Sequence, residues 1–465
     1  MKQTNSIYRL KAFGYILMSV IIFASCKVTQ PYKTPTDSIP QTLFRDVNTT
    51  DSVTIANVPW KQLFTDTALL RLIEEGIQNN LDLKVAVARI KQAQANLRQS
   101  NAAFYPSIDA HATGTVQKPA NNVQGATQIY QLYGSASWEA DIWGKLRSAK
   151  RAALAALLES DAYKKAVQTQ LVADIATNYY SLLAYDAQLQ VTLRTVDNRA
   201  KDVETMKQLK QSDVVTGAAV VQSEANRYSA AVTIPDIRQN IRETENAISI
   251  LLGRSPGEIT RDSIVNEQVS SDLRTGLPAQ LLANRPDVQE AEYQLRYYFE
   301  LTNVARTYFY PSLTITAEGG LSNTSVSDFF NASSLFGNII GGLTQPIFNQ
   351  GLNRQRLEVA KAQQEEYFAN FKKAILNAGQ EVSNALYSYQ AASDKMSIRS
   401  QQISFLEKSV DYTKELLKYT ANTNYTDVLT SEQSLLAAQL SSIGDKLQQL
   451  QAVVELYRSL GGGWK

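Results

Sequence analysis

The sequence predicts a mixed α/β membrane protein that is internally duplicated and consists mostly of long α-helices, with four β-strands. Three observations support this fold class. Motifs return in the same order about 205 residues later, four short segments alternate apolar and polar residues, and two long stretches carry apolar residues at seven-residue intervals. These patterns are typical of a repeat, of half-exposed strands and of coiled-coil helices, respectively.

The duplication is visible in motifs that recur along the whole chain. Phe104-Tyr105-Pro106-Ser107-Ile108 returns as Phe309-Tyr310-Pro311-Ser312-Leu313, and Leu252-Gly253 returns as Leu460-Gly461. Ordered matches of this kind indicate two copies of one unit, each with a helix, a strand pair, a long helix and a return helix. We place the copies at 56–252 and 280–465, with a linker at 253–279.

Alternation marks the strands, strictly in the first three and more weakly in the fourth, which the repeat also predicts. We expect them at about 106–117, 128–139, 312–321 and 335–346. In the first strand, Ile108, Ala110 and Ala112 alternate with Asp109 and His111. Strands of about ten residues with this pattern are typical of outer-membrane barrels, in which apolar side chains face lipid and polar ones face a wet lumen. The side chains expected to face the lumen include Asp109, His111, Glu139 and Glu318.

A soluble α+β sheet is the alternative reading of these four strands. If the strands lie in a membrane, the sheet must close, because each unpaired backbone group in hydrocarbon costs several kcal/mol. Known membrane barrels have about eight strands or more. A barrel built from this chain would therefore have to be shared between copies.

Apolar residues recur every seven positions in two long proline-free stretches. The first seam contains Ile175, Leu182, Leu189, Val196 and Val203. A sustained seven-residue repeat predicts helices that supercoil around their neighbours. The first stretch, 145–210, would extend for on the order of 100 Å as a helix. The helices alone would also suit a structural coiled-coil protein without a channel. The seam of the second copy consists of Val382, Tyr389, Met396, Ile403 and Val410.

Each long helix is expected to end at an interruption, 213–217 in the first copy and 420–427 in the second, after which the chain reverses into a return helix. Pro235 lies in the first return helix and has no counterpart in the second. Because proline lacks the backbone N–H that a helix needs, we predict a kink there.

The N-terminus has the composition of an export signal. Basic residues precede a short apolar run, 12–24, that ends at Ser25-Cys26, and Cys26 is the only cysteine in the chain. This arrangement resembles a lipobox, in which the cysteine carries the lipid of the mature protein. The alternative is an ordinary cleavage site with an incidental cysteine. We expect a signal peptide at 1–25 and a lipid anchor with an extended tether at 26–55.

Composition disfavours nucleic-acid and enzymatic functions. Without residues 1–25 the chain has 43 basic and 44 acidic residues, so nucleic acid is not an expected partner. His111 is the only histidine, which excludes a multi-histidine metal site. Glu139 and Asp141 lie two residues apart at a strand end, where a polar rim is the simpler interpretation. We expect no catalytic residue, cofactor or metal.

Several motifs together resemble the TolC-like outer-membrane factor family, in its lipoprotein branch that serves resistance-nodulation-division pumps. They are Trp60 with Phe64 and Asp66, the run Ala283-Asn284-Arg285-Pro286-Asp287-Val288, both Phe-Tyr-Pro-Ser segments, and Trp138-Glu139-Ala140-Asp141-Ile142-Trp143-Gly144. The resemblance implies a homotrimer with a twelve-stranded barrel in the outer membrane, a helical barrel in the periplasm and an equatorial region at 253–279. It also implies a periplasmic adaptor and an inner-membrane transporter as partners.

The resemblance also places the periplasmic tip at the two interruptions. We predict a constriction or adaptor contact there, and Asp427 is expected to contribute to a ring of three aspartates. Thr430 stands where some members have a second acid. Asp427 could instead serve as a helix cap. The predicted tip residues are Asp213, Gly217, Asn422, Asn424, Tyr425 and Asp427.

Three functions remain open at this stage. The first is a passive exit duct for small molecules such as drugs, detergents or metals. The second is the outer-membrane duct of a type I protein secretion system, and the third is a structural envelope lipoprotein without a channel.

Overall fold

A computed structural model describes residues 28–36, 40, 43–45, 53–118, 126–268, 273–419 and 425–465. The predictions for Cys26, Asn422 and Asn424 lie outside these residues. The described residues divide into two units. Unit one contains those within Met1–Pro35, Arg89–Ser160 and Glu290–Phe371, and unit two contains those within Thr36–Ala88, Asp161–Gln289 and Lys372–Lys465.

Long helices and four strands follow one another in the order that the repeat predicts. In the first copy they are α1 (Thr67–Asn79), α2 (Leu81–Ala102), β1 (Ser107–Gln117), β2 (Thr127–Ala140), α3 (Lys145–Gln211), α4 (Gly217–Ala231) and α5 (Thr233–Leu251). In the second they are α6 (Pro286–Thr307), β3 (Ser312–Asn323), β4 (Leu335–Thr344), α7 (Leu352–Tyr419) and α8 (Tyr425–Ser459). The predicted fold class is thereby confirmed. Short helical segments lie at Ile55–Asn57, Trp60–Leu63, Ile264–Asn266, Pro278–Gln280, Leu281–Asn284 and Ala332–Ser334.

The strands of unit one form an antiparallel sheet in the order β1-β2-β3-β4. Ala136 pairs with both Ile108 and Ala317, and Ala317 also pairs with Ile339, so these side chains share one face. This register separates an apolar face from a mostly polar one. β4 ends at Thr344, two residues before the expected limit, because Pro346 has no N–H to donate to a sheet.

The first return helix is divided at Val232, between α4 and α5. Pro235 is the third residue of α5, where its missing N–H is tolerated because the first turn of a helix has no internal acceptor for it. The predicted irregularity is therefore a break three residues before the proline. No helix in the described parts of the chain has an 18-residue stretch apolar enough to cross a membrane.

Unit two preserves the duplication in atomic detail. Gly253 and Gly461 both adopt left-handed φ values, 69° and 90°, at the end of a return helix. A Cβ added to Gly253 would clash with the Asn79 carbonyl oxygen, and a Cβ added to Gly461 would clash with that of Asn284. The residues that follow Asn79 and Asn284 each donate a hydrogen bond to the end of the return helix. Asn80 Nδ2 donates to the Leu251 carbonyl at 2.9 Å, and Arg285 Nη1 donates to that of Ser459 at 2.9 Å.

Replacement of Gly461 by alanine is expected to destabilise the protein by about 1–2 kcal/mol, because a Cβ is disfavoured at this φ and would also meet the Asn284 backbone. Thermal unfolding of the purified variant measures the effect. Gly444→Ala is the matched control, since that helical glycine has no heavy atom within 4 Å of a new Cβ. Equal unfolding temperatures for Gly461→Ala and the parent would contradict this account.

Candidate functional site on the sheet and at the helix ends

The polar face of the sheet carries a row of hydrogen-bonding side chains in unit one. Asp109 lies opposite Ser135, Ser135 lies opposite Glu318, and Glu318 lies opposite Asn338. Because paired residues of antiparallel strands project from the same face, these four side chains form one row across all four strands. The structure thus brings together Asp109 and Glu318, which the alternating pattern assigned to one face.

His111 belongs to the next row of the same face. Its ring stacks on Tyr133 with centroids 4.8 Å apart, and Nε2 lies 3.0 Å from Ser135 Oγ. Tyr133 in turn meets Phe336 edge to face at 6.0 Å. The histidine is therefore held by a ring contact and a hydroxyl. This arrangement suits a side chain that lines the polar face of the sheet in one orientation.

Glu139 lies near the end of β2 and is engaged by the first residue of α3. Lys145 Nζ donates to its two carboxylate oxygens at 3.0 and 2.9 Å. Both side chains are about one third exposed. Asp141 instead caps the start of α3 by accepting from the amides of Leu146 and Arg147. The two acids thus hold the junction between strand and helix, and they do not converge as a catalytic pair would.

The first interruption of unit two is a tight turn between α3 and α4. The Val214 amide donates to the Leu209 carbonyl at 2.9 Å, and Asp213 occupies the left-handed region with φ 55°. Asp213 is exposed, and Gly217 is the half-buried first residue of α4. A short polar side chain tolerates this backbone better than most residues.

The helix ends beside this turn are joined by an apolar cluster. Met206, Leu417, Tyr425, Val428 and Leu429 form its buried centre, and Tyr425 is 6% exposed. Tyr425 therefore packs between helices of its own protomer. This location was not evident from its place in the predicted tip.

Asp427 has a different environment from Tyr425. It is exposed in the first turn of α8, where a negative charge is favourable beside unpaired helix amides. Thr430, one turn further, is exposed and donates its hydroxyl to the Thr426 carbonyl at 2.8 Å. Asp213 and Asp427 thus leave their carboxylates on the surface, which a constriction or adaptor contact would need.

A partly buried ion network that sequence reasoning missed joins three helices of unit two. Lys414 Nζ on α7 lies 3.0 Å from Asp202 Oδ1 on α3 and 2.6 Å from Glu432 Oε1 on α8. Burial opposes the charge of Lys414, but the hydrogen bonds and charges of Glu432 and Asp202 outweigh it and raise the pKa of Lys414. Burial, together with the hydrogen bond to Asp202, raises the pKa of Glu432. The recurrence of Glu224 as Glu432 between the copies was the available sequence signal.

Arg199 stands beside this network and is only 3% exposed. Its Nη1 donates to the Asn226 carbonyl at 2.8 Å, so that α3 is tied to α4. Burial lowers the pKa of Arg199, and the nearby charges of Glu432 and Asp202 act against that shift. The helix ends are thus connected by buried charges as well as by apolar contacts. Among the described residues, no three His, Cys, Asp or Glu side chains are placed to hold a metal ion.

Comparison with known proteins gives a family match in both copies. The sequence matches the family described as "Outer membrane efflux protein" over residues 72–254 and 277–462. The cation efflux system protein CusC of Escherichia coli is 28% identical over 96% of this chain and 97% of its own length. The probable outer membrane lipoprotein SilC of Salmonella typhimurium is 27% identical over 98% and 99%.

Solved structures agree in fold over nearly the whole chain. A crystal structure of CusC, described in terms of folding and transmembrane channel formation, superposes with a TM-score of 0.84 at 27% identity and covers 94% of this chain and all of its own. The outer-membrane channel OprN superposes with a TM-score of 0.86 at 22% identity, with the same two coverages.

Replacement of Lys414 by methionine is expected to lower the free energy of unfolding by on the order of 2 kcal/mol, because two partly buried acids lose their counter-charge in a partly screened site. The loss should grow as the pH rises, since Glu432, with its raised pKa, is protonated in acid and charged in alkali. Denaturant unfolding at several pH values measures it.

The matched control for this variant is Lys201→Met, which removes an exposed i,i+4 pair with Asp197 and should change stability by about 0.5 kcal/mol or less. An equal loss of unfolding free energy in both variants would show that the Lys414 network stabilises the protein no more than an exposed ion pair does.

Proposed function

Because the chain belongs to the outer membrane efflux protein family, we propose that it is the outer-membrane component of a tripartite efflux system, a passive exit duct for small molecules. The observation that carries the proposal is the match of both repeats to this family, on a fold that superposes on a transmembrane channel. A passive duct transfers no group and breaks no bond. We therefore assign it no catalytic residue, cofactor or resident metal.

We propose a homotrimeric barrel, and the duplication supports the strand pairing by which copies would join. Within the protomer, β2 of the first copy pairs with β3 of the second. By the same relation, β4 would pair with β1 of a neighbouring copy, and repetition of this step would close a ring. Ile108 of β1 and Leu343 of β4 project from the apolar face of the sheet and are exposed by 81% and 68%, as side chains that face lipid would be.

The register of this junction follows from the pairs inside the protomer. Ala136 and Leu343 are equivalent, since each pairs with the second residue of its preceding strand, Ile108 or Leu313. Because Ala136 pairs with Ala317, and Ala317 corresponds to Ala112 in the repeat, Leu343 should lie opposite Ala112 of the neighbour. Three copies would then give twelve strands, with the apolar face toward lipid and Asp109, His111, Glu139 and Glu318 toward the lumen.

A double variant with Leu343→Cys and Ala112→Cys is expected to form disulfide-linked dimers and trimers, because directly opposed residues lie within disulfide range. Non-reducing electrophoresis of oxidised membranes shows the product. The control pairs Leu343→Cys with Thr113→Cys, whose side chain projects from the other face. A monomer in both cases, or a ladder from the control pair alone, would refute this junction.

Lipid anchorage at Cys26 is supported by the path of the tether that follows it. In unit one, the Gln30 amide and carbonyl both bond to the Asn303 side chain, at 3.0 and 2.8 Å, and Thr29 packs on Gly144 just after β2. Cys26 precedes Thr29 by three residues, or about 11 Å at full extension. The described start of the tether therefore lies beside the junction of β2 and α3, at the helical end of the sheet, which suits attachment to the inner surface of an outer membrane.

The partners that we propose are a periplasmic adaptor at the helix ends and an inner-membrane resistance-nodulation-division transporter. The exposed carboxylates of Asp213 and Asp427 support a polar contact or constriction there. A type I protein secretion duct remains the second candidate, and an ATP-driven exporter crosslinked to this protein in intact envelopes would favour it. A structural lipoprotein would conduct no ions.

Conductance of the purified protein in planar bilayers tests the duct directly. We expect a cation-preferring channel, and Asp427→Asn should move the reversal potential in a salt gradient toward zero, because three carboxylates near a narrow pore attract cations. Asp394→Asn, on the exposed side of α7, is the control and should leave the potential unchanged. Absence of conductance in a verified trimer would overturn the duct, whereas an unchanged Asp427 variant would overturn only the ring.

A further inference from the structure

A buried tyrosine in unit two gathers groups from three parts of the chain. Tyr179 on α3 is fully buried, donates its hydroxyl to Asp66 Oδ2 and accepts the Asp262 amide at 3.2 Å. Asp66 also caps α1, since its Oδ1 accepts from the Ala68 amide at 2.6 Å. Asp262 belongs to the linker 253–279, so the tyrosine joins this linker to α1 and α3.

Glu267 adds a second carboxyl to this arrangement. It is only 5% exposed, and its carboxyl group faces that of Asp66. Two carboxylates cannot bond to each other unless one carries a proton. Asp66 already accepts from Tyr179 and Ala68 and therefore acts as the acceptor, so the shared proton belongs on Glu267.

The surroundings of the pair favour retention of that proton. The charged and titratable groups that face it are Asp262 from the linker, Tyr179 and Tyr180 from α3, and Lys446 from α8. Only Lys446 among them is a cation, and burial lowers the pKa of Lys446. Burial of Glu267, followed by its hydrogen bond to Asp66, raises the pKa of Glu267 from 4.5 to about 7.

The linker has a second attachment of a different kind. Arg261 contacts Asp186 on α3 and Glu245 on α5, with both nitrogen–oxygen distances at 2.5 Å. Hydrogen bonds to these acids raise the pKa of Arg261 further above neutrality. This attachment therefore persists throughout the physiological range. The segment after it is held by Ile264, which is 4% exposed, and by Glu267.

We propose that the Asp66–Glu267 carboxyl pair is a pH-dependent fastener, in which one shared proton holds the segment 264–267 against α1 and α3 and loss of that proton loosens it. Arg261 keeps the preceding part of the linker attached in both states. The opening is thus local, and it changes the linker without unfolding unit two. The inference concerns this segment and does not require that the protein conduct ions.

The direction of the pH dependence follows from the raised pKa. The stabilising effect of the bound proton is fully present below the unfolded value of 4.5 and is lost as the pH rises through about 7. Alkaline conditions leave the buried charge of Glu267 next to the partly buried charge of Asp66. The segment should therefore be held most firmly in acid.

Glu267→Gln tests this arrangement because the amide keeps a donor toward Asp66 but cannot ionise. The parent should lose thermal stability between about pH 5.5 and about pH 8.5, whereas the variant should change less and exceed the parent at the alkaline end. Glu258→Gln replaces an exposed linker acid and should keep the parent profile. A variant that is less stable than the parent at alkaline pH would overturn the proposal.

Amide hydrogen exchange of the unmodified protein provides a second test that needs no variant. After correction for intrinsic rates, protection of residues 264–267 should fall as the pH rises through about 7, while residues around Arg261 stay protected. Protection that is constant across this range, or a loss that extends equally through both attachments, would contradict a local fastener.

Discussion

The unpaired edges of a four-stranded sheet are the constraint on which the rest of this structure depends. Among the described residues, β1 and β4 each have a neighbour on one side only. Hydrocarbon offers no partner for backbone N–H and C=O groups, so such edges cannot remain open in a membrane. In a duplicated chain the free edges can pair with those of another protomer, because the β2–β3 junction inside the chain shows how β4 of one protomer could pair with β1 of the next.

The same duplication explains features far from the sheet. Gly253 and Gly461 end equivalent helices in equivalent conformations, and Asn80 and Arg285 make equivalent bonds across the same approach. Arg285, which helped to identify the family, is thus a structural residue that also pairs with Asp287 and Glu381. This member of the family motifs therefore shows how the helices are fixed to one another.

The sequence predicted those features that depend on local periodicity. Alternation located β1, β2 and β3, the repeat helped to locate β4, and the seven-residue seams located α3 and α7. Contacts between distant positions were not predictable in this way, since nothing in their spacing links Asp202 to Lys414 or Asp66 to Glu267. Tyr425 shows the same limit: its place beside an interruption suggested a tip residue, whereas its aromatic ring is large enough to fill the space where four helix ends meet. The residues of the candidate site thus divide into exposed acids, which pattern could suggest, and buried partners, which only the fold assembles.

The two copies diverge where charges are buried, and this divergence has a physical consequence. In the first copy, Lys207 and Glu224 form a partly exposed pair at 3.5 Å. The equivalent pair, Lys414 and Glu432, is shorter and more buried, and it gains Asp202 as a third member. Ser409 occupies the position that corresponds to Asp202 in the repeat, so the first pair has no such acid to gain. A ring built from alternating copies would therefore contain two kinds of helix junction, one with a three-membered, partly buried ion network and one with a more exposed ion pair. Because a buried ion pair is costly to separate, any loosening of the helix ends should begin at the second kind.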